Sequence, residues 1–321
     1  AGLVPDAHLG LGRGNQFLDD LRQADALIHV IDVAGSTNEK GEPIAPGSYD
    51  PAEDVKFLEV ELDMWYFGII KKGWEKFART VIQEKREIHI ALGKQLSGLK
   101  VTEEMIKETI EKMKLNEKPA TSWSEEELKN LAVTLRKITK PMIIAGNKMD
   151  LPTGEANLKR LVQQFPDRKF VGCSSESELA LKEAAKAGLI EYLPGEGDFK
   201  IAESGKLNDN QKKALEFIKV NILQKYGSTG VQQVLDAAVF ELLGYIAIFP
   251  GGVNKLEDSE GRVMPDCFLM PPKSTALSFA YKLHTDLGNN FICAKDVRTK
   301  RTLGKEHPLK NRDVIEIVAG K

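Results

Sequence analysis

Asn147-Lys148-Met149-Asp150 spells N-K-x-D and stands directly after the apolar run Pro141-Met142-Ile143-Ile144-Ala145-Gly146. At the end of a buried strand, an Asp carboxylate can accept two hydrogen bonds from the N1–H and exocyclic amine of guanine, a donor pair that adenine lacks. The Asn147 amide can tie neighbouring loops together, and the Lys148 stem can lie over the base plane. The competing reading is a solvated turn that happens to spell the motif, and the preceding strand argues against it. Cys173-Ser174-Ser175, closing the run Lys169-Phe170-Val171-Gly172-Cys173, is a second candidate for base contact, mainly through backbone N–H groups. Ser175 also has the spacing of a helix cap, with Glu178 completing a capping box. The two roles are compatible.

The phosphate side of such a site is incomplete. No G-x-x-x-x-G-K-S/T occurs, so the backbone nest, the phosphate-binding Lys and the Mg²⁺-holding Ser or Thr are missing. As written, the chain is expected not to hydrolyse a nucleoside triphosphate. It opens on Ala1-Gly2-Leu3-Val4, followed by Gly10, Gly12, Gly14 and Asn15-Gln16-Phe17-Leu18. Either the natural protein has lost its phosphate loop, or an N-terminal segment beyond Ala1 carries it. The start inside a motif favours the second.

These residues resemble the Obg-like GTPases, which write their γ-phosphate-sensing D-x-x-G switch as Asp-Val-Ala-Gly-Leu-Val, then a Gly-rich stretch ending Asn-Gln-Phe-Leu. With Asn147–Asp150 in the right order, the whole chain resembles the YchF branch, and within it the GTP-specific archaeal and eukaryotic members. ATP-preferring YchF proteins depart from N-K-x-D, so Asp150 implies GTP. The resemblance places Gly2 at the γ-phosphate and Leu3 where Ras-like enzymes have a water-orienting Gln. Leucine cannot polarise water, so the catalytic group is left open and slow intrinsic turnover is expected. Mg²⁺ ligands are expected in the missing N-terminal segment, and none of the residues named here is expected to bind a metal.

The C-terminal part resembles a TGS domain, a ubiquitin-like α+β fold. Lys273-Ser274-Thr275-Ala276, Phe279-Ala280-Tyr281, His284-Thr285-Asp286-Leu287-Gly288, Arg298 to Arg301 and Asp313-Val314-Ile315 carry the likeness. His284 reads as a structural residue at a helix end rather than a catalytic one. Between Lys295 and Arg312 the chain holds seven basic residues against two acidic ones. Lys295, Arg298, Lys300, Arg301 and Lys305 are therefore candidates for contacts with RNA phosphates of a ribosome, rRNA or tRNA, against the alternative of a solvated face.

The elements that must position these groups are legible in part. Leu27-Ile28-His29-Val30-Ile31-Asp32, the run before Asn147 and Lys169–Cys173 read as buried parallel strands, with ligands expected at their carboxyl ends. The stretch 53–139 reads as an inserted antiparallel helical hairpin. Val55, Leu58, Leu62, Trp65 and Ile69, then Trp74, Phe77 and Val81, then Leu128, Leu131, Leu135 and Ile138 form its apolar stripes, with Ser124 and Glu127 as a capping box. Two helices are expected near 209–225 and 229–243, and one near 275–284 among short strands.

The fold class expected is α/β: an incomplete P-loop NTPase-type G domain over 1–52 and 140–243, the helical insertion at 53–139, and the TGS domain at 244–321. The length of 321 residues agrees with two or three domains. Lys+Arg 45 nearly cancel Asp+Glu 47, so any nucleic-acid affinity must be local. Three scattered cysteines form no C-x-x-C pair, and no membrane span or secretory signal is visible. A cytoplasmic protein is expected, with neither DNA nor a membrane as partner. The rival readings are a nucleotide-independent ribosome-binding or assembly factor that uses the G domain as a scaffold, and an ATP-using member of the same family.

Overall fold

The computed structural model describes residues 20–202, 207–253, 256, 261–262 and 266–320. Gly2, Leu3 and the glycines before Asn15 lie outside the described residues. The chain forms two compact units, Ala1–Ala238 and Val239–Lys321.

The first unit is organised on three strands, β1 (Leu27–Asp32), β2 (Met142–Asn147) and β3 (Lys169–Gly172), all parallel and in the order β1-β2-β3. The register sets Asp32 opposite Asn147 and Gly146 opposite Gly172, so all three carboxyl ends lie together. Ile143, Ile144 and Ala145 of the central strand are buried, as expected for a strand covered on both faces. On β1, Leu27 and Ile31 are buried, whereas Ile28 is 39% and Val30 58% exposed. One face of that strand is thus uncovered by the described residues.

Between β1 and β2 stand five helices where a hairpin is expected: α1 (Ala52–Lys71), α2 (Trp74–Gln83), α3 (Ile88–Leu96), α4 (Glu103–Lys112) and α5 (Glu125–Thr139). They enclose a core that includes Leu62, Trp65, Tyr66, Leu92, Ile106, Leu131 and Leu135. Trp74 stacks on Trp123 with ring centroids 5.4 Å apart, so Trp65 and Trp74 are core residues. The middle helices escape a reading by punctuation because lysines close them. Lys85, Lys100 and Lys114 follow α2, α3 and α4 in left-handed backbone, with φ of 51°, 61° and 56°, where glycine is the usual signal. The Ser124–Glu127 capping box forms as expected, with Glu127 N–H donating to Ser124 Oγ at 3.2 Å and Ser124 N–H to Glu127 Oε2 at 2.8 Å.

After β2 come α6 (Gly154–Gln164), β3, α7 (Ser175–Lys186) and the two-stranded antiparallel β4 (Ile190–Glu191) and β5 (Lys200–Ile201). Next, α8 (Asp209–Ile218) runs on through a π-helical stretch, Lys219–Leu223, to Tyr226, and α9 (Val231–Asp236) through another, Ala237–Leu242. The helix α7 is not capped as its sequence predicts. Ser174 is the N-cap residue, and Glu178 turns away from a capping box to accept hydrogen bonds from Thr229 Oγ1 at 2.6 Å and the Tyr192 hydroxyl at 2.8 Å.

The second unit is a five-stranded sheet in the order β7-β6-β10-β8-β9, with β6 (Ile246–Pro250), β7 (Phe268–Met270), β8 (Phe291–Asp296), β9 (Thr302–Leu303) and β10 (Asp313–Ala319). Only the β6–β10 pair is parallel. The helix α10 (Ala276–Leu283) lays Phe279 and Ala276 against Ile248, Ala294 and Ile315, and a short α11 (Thr285–Asn289) follows. His284 joins the two helices, its Nδ1 accepting from Asp286 N–H at 3.2 Å. It is an N-terminal cap of α11, a structural duty.

Candidate functional site

Three strand ends build the site. Leaving β2, the chain turns sharply at Lys148, whose φ is 62°, and doubles back through Leu151 N–H to Lys148 C=O at 3.1 Å. The turn is crowded from below: a Cβ on Gly154 would stand 2.7 Å from the Lys148 carbonyl oxygen, so α6 can begin there only with glycine. Met149 points inward, 6% exposed, and packs with Ile144 and Leu161. It is an anchor of the loop rather than a polar contact.

Asn147 joins this loop to the next. Its Oδ1 accepts from Ser175 N–H at 3.0 Å, while Met149 N–H donates to Cys173 C=O at 3.3 Å. Cys173 and Ser174 are both 2% exposed, so neither offers its side chain outward. Ser174 N–H is taken by Thr229 C=O at 2.8 Å, and its hydroxyl donates to Ser177 Oγ at 2.9 Å. Of the three, Ser175 is the exposed one. Burial pushes the Cys173 thiol above its ordinary range against a contact with Ser175, and the nearby Asp150 charge adds to the rise. The Asp150 carboxylate itself is engaged by no hydrogen bond or ion pair among the described residues. An unpartnered carboxylate beside two cross-braced loops can accept a pair of N–H donors from a planar ligand.

The end of β1 also belongs here, a part the motif reading left out. Lys148 reaches across to Asp32, Nζ to Oδ2 2.9 Å, and to Ser36 Oγ at 3.2 Å. Burial works to raise the Asp32 pKa, but hydrogen bonds from Ser36, Lys148 and Thr37 outweigh it and hold the acid below its usual range. Thr153 Oγ1 donates to Ala34 C=O at 2.8 Å and Asn157 Nδ2 to Val33 C=O at 2.9 Å, locking the loop after β1 onto α6 and its approach. The only sequence signal for Asp32 was an acid closing an apolar run. Among the described residues, no group of three or more His, Cys, Asp or Glu could hold a metal ion.

In the second unit, Arg298, Lys300 and Arg301 share the exposed turn between β8 and β9, where Asp296 Oδ1 accepts from the N–H groups of Arg298 and Thr299. Lys295 lies back on β8, 3.9 Å from Glu316 across the ladder, and Lys305 is exposed beyond β9. The five candidates thus split into a cluster of three, one paired lysine and one outlier.

A GTP-binding protein of Methanocaldococcus jannaschii is 49% identical over 320 residues, spanning 99% of this chain and 79% of its own. Residues 145–252 match the family model "Obg-like GTPase YGR210-like, G4 motif-containing domain", and residues 258–319 match the TGS domain. The chain belongs to the Obg-like GTPases. The ribosome-binding ATPase YchF of Bacillus subtilis is a more distant relative, 24% identical over 331 residues, 98% of this chain and 79% of that one. The crystal structure of a GTP-binding protein from Pyrococcus horikoshii superposes with a TM-score of 0.76 at 40% identity, covering 95% of this chain and 81% of that one. The fold of this Obg-like chain is shared with a GTP-binding protein, and its second unit carries the TGS match.

Proposed function

We propose that this Obg-like chain binds guanine nucleotide at the carboxyl ends of β1, β2 and β3. Asp150 accepts the N1–H and exocyclic amine of the base. Lys148 lies along one face, and Asn147 holds the Cys173–Ser175 loop by accepting its Ser175 N–H. The Cys173 and Ser174 N–H groups are likewise taken by Gly146 and Thr229 carbonyls, so the loop offers the base the exposed Ser175 side chain rather than backbone donors. The observation that carries this reading is the unengaged Asp150 carboxylate set between loops that Asn147 has already fastened. Such preorganisation leaves little ordering cost at binding. Met149 serves the site from inside, as packing.

The reaction we assign to the complete enzyme is hydrolysis of GTP to GDP and phosphate. Gly2 would sense the γ-phosphate, and Leu3 would leave water alignment to another group. Mg²⁺, bound with the phosphates, would neutralise charge developing on them. Its protein ligands are assigned to a phosphate-binding loop N-terminal to Ala1. Without that loop, residues 1–321 would not turn over.

The partner we assign is the ribosome or an RNA bound to it, as the name of the Bacillus subtilis relative says of that protein. The cluster Arg298, Lys300 and Arg301 is the surface that supports it, with Lys305 nearby in sequence and Lys295 contributing less because Glu316 faces it. A cytoplasmic location, with no DNA or membrane partner, follows from that role. No helix among the described residues is long and apolar enough to cross a membrane.

Calorimetric titration with GTP, GDP and ATP in Mg²⁺ buffer tests the reading, using this chain beside a form extended through a G-x-x-x-x-G-K-S/T motif. Guanine-selective binding, tighter in the extended form, is expected. Absence of binding in both would leave the G domain as a scaffold for the ribosome-binding surfaces.

A further inference from the structure

Asp32 lies outside the base-reading motif yet holds its lysine. The residue closes β1 and stands in register opposite Asn147. Its side chain is 10% exposed. Oδ1 accepts from Ala34 N–H at 3.0 Å. Oδ2 accepts from Ser36 N–H at 3.1 Å, from the hydroxyls of Ser36 and Thr37 at 2.7 and 2.9 Å, and from Lys148 Nζ at 2.9 Å. Four of these five donors belong to the loop Ala34–Thr37, so the carboxylate is oriented before the lysine joins it. Lys148, on its left-handed turn, is thereby stretched from the end of β2 to the end of β1.

We propose that Asp32 is a positioning residue for guanine binding: by fixing the Lys148 ammonium, it holds the lysine stem in place as one wall of the base slot. The inference rests on the guanine-site reading above and adds the device that makes Lys148 serve it. A free lysine side chain loses rotamer entropy when pinned against a ligand. Anchoring it in the unliganded protein removes that cost from binding. The ion pair also commits the positive charge to Asp32 and Ser36. Lys148 then offers the base its methylenes, while the phosphates are left to other groups.

The test is a double-mutant cycle on the full chain with GDP as the probe, read by ligand-observed NMR so that weak affinities register. The variants are Asp32→Ala, Lys148→Ala and the pair together. Asp32→Ala is expected to weaken GDP roughly tenfold, as loss of a charge-assisted contact would. The double variant is expected to bind no worse than Lys148→Ala alone, because Asp32 acts through the lysine. Additive losses would show that Asp32 acts on the loop by itself and would overturn the proposal, as would wild-type affinity in Asp32→Ala. Asp32→Asn guards against simple unfolding. It keeps one acceptor oxygen for the Ala34–Thr37 donors while removing the charge that anchors Lys148, so it should melt above Asp32→Ala and still bind more weakly than wild type. An Asp32→Asn chain with unchanged affinity also overturns the proposal. If neither the wild-type chain nor the form extended through a G-x-x-x-x-G-K-S/T motif binds GDP, the guanine-site reading itself fails and takes the inference with it; if only the extended form binds, the cycle is read in that form.

Discussion

Asn147 Oδ1 accepts the backbone N–H of Ser175 at 3.0 Å, the side-chain hydrogen bond that, beside Met149 N–H to Cys173 C=O, fastens the loop after β2 to the loop after β3. Asn147→Ala removes the acceptor and leaves that N–H without its partner. A cost of about 1–2 kcal/mol to stability is expected, read from urea unfolding. Guanine nucleotide affinity should fall by about tenfold as well, since the two loops would no longer be held in one arrangement before binding. Loss of stability with unchanged affinity would place the base elsewhere.

Asp150 offers two acceptor oxygens where guanine offers two donors. In Asp150→Asn one acceptor becomes a donor and faces the exocyclic amine, so GTP binding should fall by about a hundredfold. Xanthine carries a carbonyl oxygen at that position, and the variant should prefer XTP over GTP in the same titration. ATP binding should stay unchanged. An Asp150→Asn chain that keeps its GTP affinity would remove this residue from the site.

Gly230 supports the same region from behind. Its φ is 82°, and a Cβ there would stand 2.1 Å from the Gly172 carbonyl oxygen and 2.9 Å from Cys173 Cα. Gly230→Ala therefore combines left-handed strain with a backbone collision and should cost about 3 kcal/mol or more. Thermal melting measures it. Because the collision falls on Gly172 and Cys173, nucleotide affinity should drop even below the melting temperature.

Arg298, Lys300 and Arg301 crowd one exposed turn. If they meet RNA phosphates, neutralising all three should weaken binding to ribosomal RNA and flatten its dependence on log salt concentration by about 2, at roughly 0.7 per single-strand contact. Lys295→Ala should do little, since Glu316 already stands 3.9 Å away. An unchanged salt slope in the triple variant would leave this turn as a solvated face.

Both sets of strand ends were legible because periodicity and motif agree there. Ile143, Ile144 and Ala145 form an unbroken apolar run that only a doubly covered strand tolerates, and N-K-x-D follows at once. The five-helix insertion was not legible as such, because Lys85, Lys100 and Lys114 end helices in a conformation whose usual sequence mark is glycine. The Ser175–Glu178 box failed for another reason. Local spacing proposed it, but Thr229 and Tyr192, both distant in sequence, compete for the same carboxylate and win. Asp32 was hidden likewise, since its bond to Lys148 spans 116 positions. Lys140 is the plainest case. Nothing in a sequence says that this lysine is wholly buried, with Nζ donating to the carbonyls of Arg22 and Ala24 at 2.7 Å each.

His29 gives the first unit a dependence on acid. Burial pushes its pKa from 6.5 down to about 4, against the Glu59 carboxylate, which works to raise it. Glu59 is itself engaged by Arg168, Nη2 to Oε2 2.7 Å, and His29 Nδ1 makes no hydrogen bond with a described residue. The folded state therefore keeps the imidazole neutral where the unfolded chain would protonate it. Between about pH 6.5 and 4 the unfolded state binds more protons, so stability rises with pH across that window and is lost as pH falls through it. At pH 5 the loss from this group alone should be about 2 kcal/mol relative to pH 7.5. Carboxylates titrate in the same range, so the measurement is a difference. Urea unfolding of wild type and His29→Gln should show the gap between them shifting by that amount in the variant's favour on acidification, and a gap that does not move would mean His29 is charged in the fold.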